Sequence, residues 1–243
     1  MTRKAALITG GSRGIGAAIA ERLAAAGWDL TISARGAETL ESTAARLRAA
    51  GGRVEVVPAD MTDEAAIAGL IEAHTTAYGR CDALVVNAGM GVMGSVADFP
   101  VRRFDKLYQV NVRAPFLLMQ GMLPTLRATA GDRGAAKVIA ISSITAVYPE
   151  PNLTAYGATK AALASMCETF NLEESVRGVS ATSICPGYVD TDMSEWTKGA
   201  IPADEMIAGA DVAAIAYAVT ELGRYAVLPQ AVLTRPGDNL HRA

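Results

Sequence analysis

Short apolar runs alternate with longer segments of helical periodicity along almost the whole chain. Residues 5–8 form the first run, after which Ile15, Ile19 and Leu23 recur at helical spacing until Gly27 ends the pattern. Further short runs predicted as strands, several of them interrupted by polar residues, follow at 30–33, 54–57, 83–86, 138–141, 180–185 and near 226–234. Because a short run that is apolar throughout is typical of a strand buried on both faces, the alternation predicts an α/β fold. We expect one doubly wound parallel sheet with helices on both faces.

Length, composition and charge exclude several classes of protein. The 243 residues are 51% hydrophobic and 19% charged, and the formal net charge is −3. Nucleic acids and anionic membranes bind basic surfaces, so we expect neither as a partner. The apolar runs are far shorter than the roughly 20 residues of a membrane span. The short N-terminal apolar run also lacks the pattern of a signal peptide.

The cysteines and histidines indicate neither disulfides nor a metal site. Cys81, Cys167 and Cys185 are widely spaced and form no Cys-x-x-Cys pair, and His74 and His241 are the two histidines of the chain. We therefore expect no metal cluster. Free thiols and a cytoplasmic location are the default for such a sequence.

The first apolar run leads into a glycine-rich turn, Thr9–Gly16, at the start of a helical segment. Glycines let the backbone approach a pyrophosphate, and a helix N-terminus offers free N–H groups and a positive dipole end. A strand, glycine turn and helix in this order predict a dinucleotide site. The residues expected to contact the cofactor are Gly10, Ser12, Arg13, Gly14, Ile15 and Gly16. The alternative is a turn whose glycines serve close packing only.

The second run ends at Ser33, and Arg35 follows with no acidic residue before Glu38. In dinucleotide folds an Asp or Glu at this strand end binds the ribose 2′-hydroxyl of NAD, whereas an Arg suits the 2′-phosphate of NADP. Arg13 in the glycine turn offers a second guanidinium for that phosphate. Ser33 and Arg35 therefore favour NADP(H). The alternative is that both arginines are solvated surface residues.

Two further strand ends carry residues suited to a cofactor. Asp60 and Met61 follow the third run, where a carboxylate can meet the edge of an adenine ring. Capping of the next helix is an equal alternative for Asp60. Asn87, Ala88 and Gly89 follow the fourth run, and their small size would let a cofactor lie against the backbone.

Asn111 and Pro115 fall within a predicted helix at 101–126. Proline has no N–H, so the carbonyl four residues earlier, that of Asn111, loses its helical partner. This carbonyl is then able to hold a water molecule. The alternative is a simple kink with an outward-facing Asn111.

Tyr156 and Lys160 are four residues apart in a predicted helix at 154–177, which places both on one face. A phenol with its ordinary pKa of roughly 10 is a poor acid or base at neutral pH, but a nearby ammonium group lowers that pKa. Ser143 follows the fifth run, where its hydroxyl can bind a substrate oxygen. The three residues predict an acid/base tyrosine, a tuning lysine and a polarising serine. The alternative is an unrelated Tyr/Lys pair on a solvated helix face.

Taken together, these motifs resemble the short-chain dehydrogenase/reductase family over about residues 4–234. The motifs that carry the resemblance, in this order and spacing, are Thr9–Gly16, Asn87–Gly89, Asn111, Ser143, Tyr156 and Lys160. The resemblance implies a single Rossmann-like NAD(P)-binding domain over residues 1–243. It also implies a catalytic tetrad of Asn111, Ser143, Tyr156 and Lys160. In this tetrad Tyr156 exchanges a proton with the substrate oxygen, Ser143 holds that oxygen, Lys160 binds the nicotinamide ribose and Asn111 anchors a water.

The resemblance implies further contacts and an assembly. Pro186, Gly187, Val189 and Thr191 look like the nicotinamide-contacting segment of the family. The chain is similar to NADP-preferring, 3-oxoacyl-carrier-protein-reductase-like members, many of which end in a Gly-Gln strand followed by Asp-Gly-Gly. Residues 228–237 depart from that ending, so the substrate stays open. Family members are usually dimers or tetramers, and we expect a homodimer or homotetramer.

The expected function is reversible, NADPH-dependent reduction of a ketone or aldehyde, with hydride transfer and with Tyr156 as general acid/base. The alternatives are an NAD-dependent alcohol dehydrogenase and a catalytically silent dinucleotide-binding regulator. A segment at about 188–208 mixes polar and apolar residues, as in a mobile lid over a small-molecule substrate. Candidates for the pocket wall are Met90, Val92, Met93, Tyr148, Pro149, Tyr188, Met193, Trp196 and Met206.

Overall fold

The computed structural model describes residues 3–197 and 201–237. Within these ranges the chain forms one sheet of seven parallel strands in the order β3-β2-β1-β4-β5-β6-β7. The strands are β1 (Ala5–Thr9), β2 (Asp29–Ala34), β3 (Val54–Pro58), β4 (Ala83–Val86), β5 (Ala136–Ile141), β6 (Val179–Pro186) and β7 (Gln230–Leu233). The predicted doubly wound parallel sheet is confirmed.

Helices alternate with the strands and cover both faces of the sheet. They are α1 (Gly14–Ala25), α2 (Ala37–Ala49), α3 (Glu64–Tyr78), α4 (Val101–Tyr108), α5 (Ala114–Arg133), α6 (Thr154–Glu174) and α7 (Gly209–Thr220). Across the described residues, every helix is too short or too polar to cross a lipid bilayer.

The predicted helix at 101–126 differs from the structure in one respect. A π-helical turn, Gln109–Arg113, separates α4 from α5, and α5 continues to Arg133. Because Pro115 in the first turn of α5 has no N–H, the regular hydrogen-bond pattern is interrupted here. The interruption lies at Asn111, the residue whose carbonyl was expected to lose its partner.

The strand order reverses direction at the centre of the sheet. From β1 the chain builds outward through β2 to β3, and it then returns to place β4 on the other side of β1. In open α/β sheets ligands bind in the crevice at the carboxyl ends of the strands beside such a reversal. Here that crevice lies between the glycine turn after β1 and Asn87–Gly89 after β4.

Each central strand contributes side chains to two separate hydrophobic layers. In β1, Ile8 packs in one cluster with Ile19 and Leu23 of α1, whereas Leu7 packs in the other with Leu118 of α5. Successive side chains of a strand point to opposite faces, so a strand covered on both faces is apolar at every position. This geometry explains the continuous apolar runs at 5–8, 83–86 and 138–141, which lie in the central strands β1, β4 and β5.

His74 of α3 is a buried polar link between a helix and the sheet. Its Nδ1 lies 2.8 Å from the hydroxyl of Thr31, and its Nε2 lies 3.0 Å from the carbonyl oxygen of Arg80. The ring satisfies both groups in its neutral form, because Nε2–H donates to the carbonyl and Nδ1 accepts from the hydroxyl. Burial lowers the pKa of His74 to about 4.

We expect His74 to make the stability of the protein fall as the pH falls from about 6.5 to about 4. In this window the unfolded chain takes up a proton that the folded chain excludes, and the loss amounts to about 3 kcal/mol. Urea unfolding at several pH values measures the slope. A His74→Gln variant cannot titrate and should show a flatter slope, so equal slopes in the two proteins would contradict the assignment.

Candidate active site

The side chain of Asn87 joins the end of β4 to the glycine turn after β1. Its Nδ2 donates to the carbonyl oxygens of Thr9 and Gly10, at 2.9 and 3.2 Å. In return, the hydroxyl oxygen of Thr9 accepts the N–H groups of Asn87 and Ala88, at 3.0 and 3.1 Å. These four hydrogen bonds hold the two strand ends together at the crevice.

Helix α1 approaches this junction because Gly16 has no side chain. A Cβ at Gly16 would lie 2.3 Å from the carbonyl oxygen of Gly10 and 2.5 Å from Nδ2 of Asn87. Gly10 and Gly14 have φ values of +67° and +57°, a region that disfavours other residues. The glycines are therefore required both by backbone conformation and by close packing.

The N-terminus of α1 is open toward an anion. Arg13 occupies the N-cap position with an extended backbone, and its side chain makes no capping hydrogen bond to the first-turn N–H groups. Such N–H groups are a ready site for a pyrophosphate. The guanidinium of Arg13 donates to the carboxylate of Asp192 at 2.5 Å, and both side chains are exposed. A contact of Arg13 with the cofactor phosphate stays a prediction.

A cleft of ≈ 600 Å³ begins at the glycine turn and is continuous with a smaller pocket of ≈ 110 Å³. The predicted cofactor residues that line the cleft are Gly10, Ser12, Arg13, Gly14, Ile15, Ser33, Arg35, Asp60, Met61, Asn87, Ala88, Gly89 and Thr191. The smaller pocket is lined by Ser143, Tyr156, Lys160, Pro186, Gly187 and Val189, among others. Of the predicted cofactor residues, Gly16 alone lines neither the cleft nor the smaller pocket, because it packs beneath the turn.

Ser33, Arg35 and Lys106 lie at the far end of the cleft, away from Tyr156. The hydroxyl oxygen of Ser33 is buried and has no hydrogen-bond partner within residues 3–197 and 201–237. Arg35 is exposed at the rim, and so is Lys106 of α4. Sequence reasoning missed Lys106, because α4 reaches this rim only through the packing of the domain.

Asp60 is held by its own loop. Its Oδ1 accepts the backbone N–H of Thr62 at 2.8 Å and the Thr62 hydroxyl at 2.9 Å. The backbone hydrogen bond lowers the pKa of Asp60, and the positive charges of Arg35 and Lys106 act in the same direction. Helix α3 is capped instead by Asp63. The helix-cap alternative for Asp60 is therefore wrong, and its contact with adenine stays a prediction.

The side chain of Asn111 is buried, with 1% of its surface exposed. Its Oδ1 accepts the N–H of Met90 at 2.8 Å, and its Nδ2 donates to the Met90 carbonyl at 2.9 Å and to the Thr159 hydroxyl at 3.0 Å. The outward-facing alternative is wrong. The side chain ties the loop after β4 to α6, whereas a water on the backbone carbonyl stays a prediction.

Lys160 is buried between α6 and the end of β5. Its Nζ donates to the carbonyl oxygen of Ile141 at 2.8 Å and lies 5.8 Å from the ring centroid of Tyr156. The hydroxyl of Ser142 donates to the Lys160 carbonyl at 2.9 Å. With 4% of Lys160 exposed, the pair does not lie on a solvated helix face, and that alternative is wrong.

Burial decides the protonation of both residues. It raises the pKa of Tyr156 to about 12, while a hydrogen bond with Ser143 acts in the opposite direction. Burial also lowers the pKa of Lys160 to about 8. The prediction that the lysine lowers the tyrosine pKa below its ordinary value is wrong for this structure. The loss of water around the phenolate raises its pKa, and Nζ of Lys160 is directed to the carbonyl oxygen of Ile141.

Besides Lys106, sequence reasoning missed two contacts at or near the smaller pocket. The hydroxyl of Thr145 donates to Oγ of Ser143 at 3.0 Å. A carboxylate oxygen of Glu150 accepts the hydroxyl of Tyr188 at 3.1 Å, and burial raises the pKa of that tyrosine. The polar residue Thr145, two positions after Ser143, was a sequence signal for the contact between them. The second joins segments that are distant in the chain.

Some of the residues predicted to form the pocket wall do line one of the two cavities. Val92, Tyr188 and Met193 line the smaller pocket, and Met90 lines the cleft. The other described candidates, Met93, Tyr148, Pro149 and Met206, line neither. Residues 198–200 of the predicted lid, and the side chain of Trp196, lie outside the described part of the chain.

Comparisons with known proteins find relatives of this chain. A family model described as short chain dehydrogenase matches residues 4–200. A D-beta-hydroxybutyrate dehydrogenase of Rhizobium meliloti is 35% identical over 196 residues, which are 79% of this chain and 74% of that protein.

Two solved structures share the fold over nearly their whole length. A short chain dehydrogenase from Burkholderia cenocepacia, in complex with NADP, has 31% identity and a TM-score of 0.84, with 96% of each chain covered. A 3-ketoacyl-(acyl-carrier-protein) reductase from Brucella melitensis, complexed with NADH, has 26% identity and a TM-score of 0.87. The match covers 97% of this chain and 98% of that one.

A Gly16→Ala substitution is expected to destabilise the protein by about 2 kcal/mol or more, since the new Cβ meets backbone and a fixed amide. Binding of NADPH should weaken at least tenfold, because α1 must move away from the turn. Thermal unfolding and fluorescence titration measure the two effects.

The matched control is Gly69→Ala in α3, where a Cβ meets nothing within 4 Å. That exposed helical position should gain about 0.5–1 kcal/mol from the substitution. If both variants behaved alike, the close contact at Gly16 would not be what requires a glycine there.

Proposed function

The chain belongs to the short-chain dehydrogenase family and acts on CH–OH or C=O groups, and within that class we propose an NADPH-dependent reductase of ketones or aldehydes. The reaction is reversible, as hydride transfer between a nicotinamide and a carbonyl generally is. The observation that carries the proposal is a single pocket that holds Ser143, Tyr156 and Lys160 beside the dinucleotide cleft.

The cofactor fits the residues that are present. The uncapped N–H groups of α1 and the glycine turn would hold the pyrophosphate. Pro186, Gly187, Val189 and Thr191 would lie against the nicotinamide end, and Lys160 would bind its ribose. The nicotinamide supplies the hydride in reduction and accepts it in oxidation.

Tyr156 would serve as the general acid of the reduction. Its raised pKa keeps the phenol protonated at neutral pH, so it has a proton to donate to the substrate oxygen. Ser143 would hold that oxygen by a hydrogen bond. In the oxidation the same phenol must first lose its proton. Asn111 would fix the loop after β4 against α6 and anchor a water on its carbonyl.

Three side chains support NADP over NAD. The buried, unpartnered hydroxyl of Ser33 and the exposed guanidinium of Arg35 flank the end of β2, and Lys106 adds a second positive charge. A 2′-phosphate would receive hydrogen bonds and charge from this group. NAD is the alternative, and it is supported by the NADH complex of the Brucella relative. The carboxylate of Asp60, which interacts electrostatically with Arg35, also favours NAD.

The proposed assembly and location rest on further observations. Exposed apolar side chains occur on α4, α5 and α6, including Phe104, Tyr108, Phe116 and Leu172. We infer that these helices form a homodimer or homotetramer interface.

The three cysteines are buried free thiols, which suits the reducing cytoplasm. Residues 188–208 are proposed to act as a lid over the smaller pocket.

Arg35→Ala should weaken the binding of NADPH at least tenfold and leave that of NADH within about twofold, because the guanidinium bonds only the 2′-phosphate. Titration of each nucleotide by calorimetry measures the difference. Arg102→Ala is the control, since Arg102 is an exposed arginine of α4 outside the cleft walls. Equal affinities of the wild type for NADPH and NADH would overturn the preference for NADP.

The reductase itself is tested with a panel of ketones and aldehydes and with NADPH. The wild type should oxidise NADPH with at least one of them, and Tyr156→Phe should lower kcat by about 10²–10⁴-fold because the general acid is lost. Tight binding of NADPH without turnover across the panel, and without oxidation of the matching alcohols, would favour the catalytically silent regulator.

The pH dependence of the same assay tests the role of Tyr156. Between pH 6 and 7.5 the phenol stays protonated and Lys160 stays largely charged, so kcat/KM for reduction should be nearly constant. Over the same range kcat/KM for oxidation should rise by up to about tenfold per pH unit, because it needs the phenolate. A flat profile for oxidation would argue against Tyr156 as the base.

A further inference from the structure

The hydroxyl oxygen of Ser143 has two hydrogen bonds to one neighbouring residue. The backbone N–H of Thr145 lies 3.2 Å from Oγ of Ser143, and the hydroxyl oxygen of Thr145 lies 3.0 Å from it. Both residues are buried, at 7% and 8% exposure, and both line the smaller pocket. Thr145 therefore belongs to the site although it does not belong to the predicted tetrad.

The two contacts determine which way the proton of Ser143 can point. A serine hydroxyl has one donor and two acceptor lone pairs. The N–H of Thr145 can only donate, and the Thr145 hydroxyl donates as well, so the lone pairs of Ser143 are both occupied. The proton of Ser143 is then left for an acceptor on the open side of the pocket, where Tyr156 lies.

We propose that Thr145 is a positioning residue that makes Ser143 a hydrogen-bond donor toward the reacting oxygen. The inference rests on the proposed carbonyl reduction. Thr145 acts through Ser143 and does not touch the substrate oxygen. Donation by Ser143 draws electron density from a carbonyl and stabilises the charge that develops on its oxygen during hydride transfer.

Loss of the Thr145 hydroxyl would also affect the general acid. With one lone pair free, Ser143 can accept the phenolic proton of Tyr156, and that proton is then directed to Ser143 rather than to the substrate. The contact of Ser143 with Tyr156 lowers the pKa of the phenol, against the larger effect of burial.

The backbone of Thr145 is itself fixed against the helix that carries Tyr156. A Cβ at Gly157 would lie 3.3 Å from the carbonyl oxygen of Thr145 and 3.6 Å from its Cβ. The short 3₁₀ turn Ile144–Ala146 thus packs directly on the first turn of α6. Thr145 is held between the two residues whose hydrogen bonds it arranges.

Two substitutions separate the hydroxyl of Thr145 from its shape. Thr145→Val keeps the branched side chain and removes the hydroxyl, whereas Thr145→Ser keeps the hydroxyl and removes the methyl group. With NADPH and a carbonyl compound that the wild type reduces, Thr145→Val should lower kcat by about tenfold. KM and the Kd of NADPH should stay within about twofold, and Thr145→Ser should retain kcat within about threefold.

A double substitution tests whether the effect passes through Ser143. In a Ser143→Ala background, Thr145→Val should cause no further loss of kcat, because there is no serine hydroxyl left to orient. Melting temperatures of all variants, measured beside the kinetics, show whether each is folded. Thr145→Val is expected to remain folded because valine has nearly the same shape.

Each contrary result has a distinct meaning. If Thr145→Val matches the wild type, if Thr145→Ser is impaired as much as Thr145→Val, or if Thr145→Val still lowers kcat in the Ser143→Ala background, the inference is overturned and the proposed function stands. If the wild type turns over none of the carbonyl compounds or alcohols, the proposed function fails and the inference fails with it.

Discussion

The hydrogen bonds between Asn87 and the end of β1, at Thr9 and Gly10, are the interaction on which the rest of the site depends. They join two strands that are neighbours in the sheet but almost 80 residues apart in the chain. Because Gly10 and Gly16 carry no side chains, α1 can approach this junction and direct its free N–H groups into the crevice. A cleft for a dinucleotide at this edge follows from that approach.

The two ends of the cleft differ in their exposure to water, and their chemistry differs accordingly. At one end the basic side chains of Arg35 and Lys106 are exposed, which suits an anionic ligand. At the other end burial disfavours charge on Tyr156 and on Lys160 alike. A neutral phenol beside a buried lysine suits the transfer of a proton to a carbonyl oxygen, and this is the direction of the proposed reaction.

Much of the fold followed from local pattern. The central strands β1, β4 and β5 are covered on both faces, so each contains a continuous apolar run, and the glycine turn marks the end of the first strand. The positions of Tyr156 and Lys160 on one helix face followed from their spacing alone. The direction in which the Tyr156 pKa is shifted did not follow from spacing, because it depends on how much water the packed domain leaves around the phenol. The π-helical turn before α5 could not be predicted from periodicity either, although Pro115 indicated where the helix is irregular.

The sequence by itself determined the class of fold, the order of its elements and the residue types that meet at the carboxyl edge of the sheet. Periodicity and glycine spacing are local properties, and they are enough for this. The tertiary structure decided which groups touch: Asn111 with Met90, Lys160 with the carbonyl of Ile141, and Lys106 with the rim of the cleft. These contacts join segments far apart in the chain, and the protonation of the site depends on burial, so neither can be obtained from local pattern.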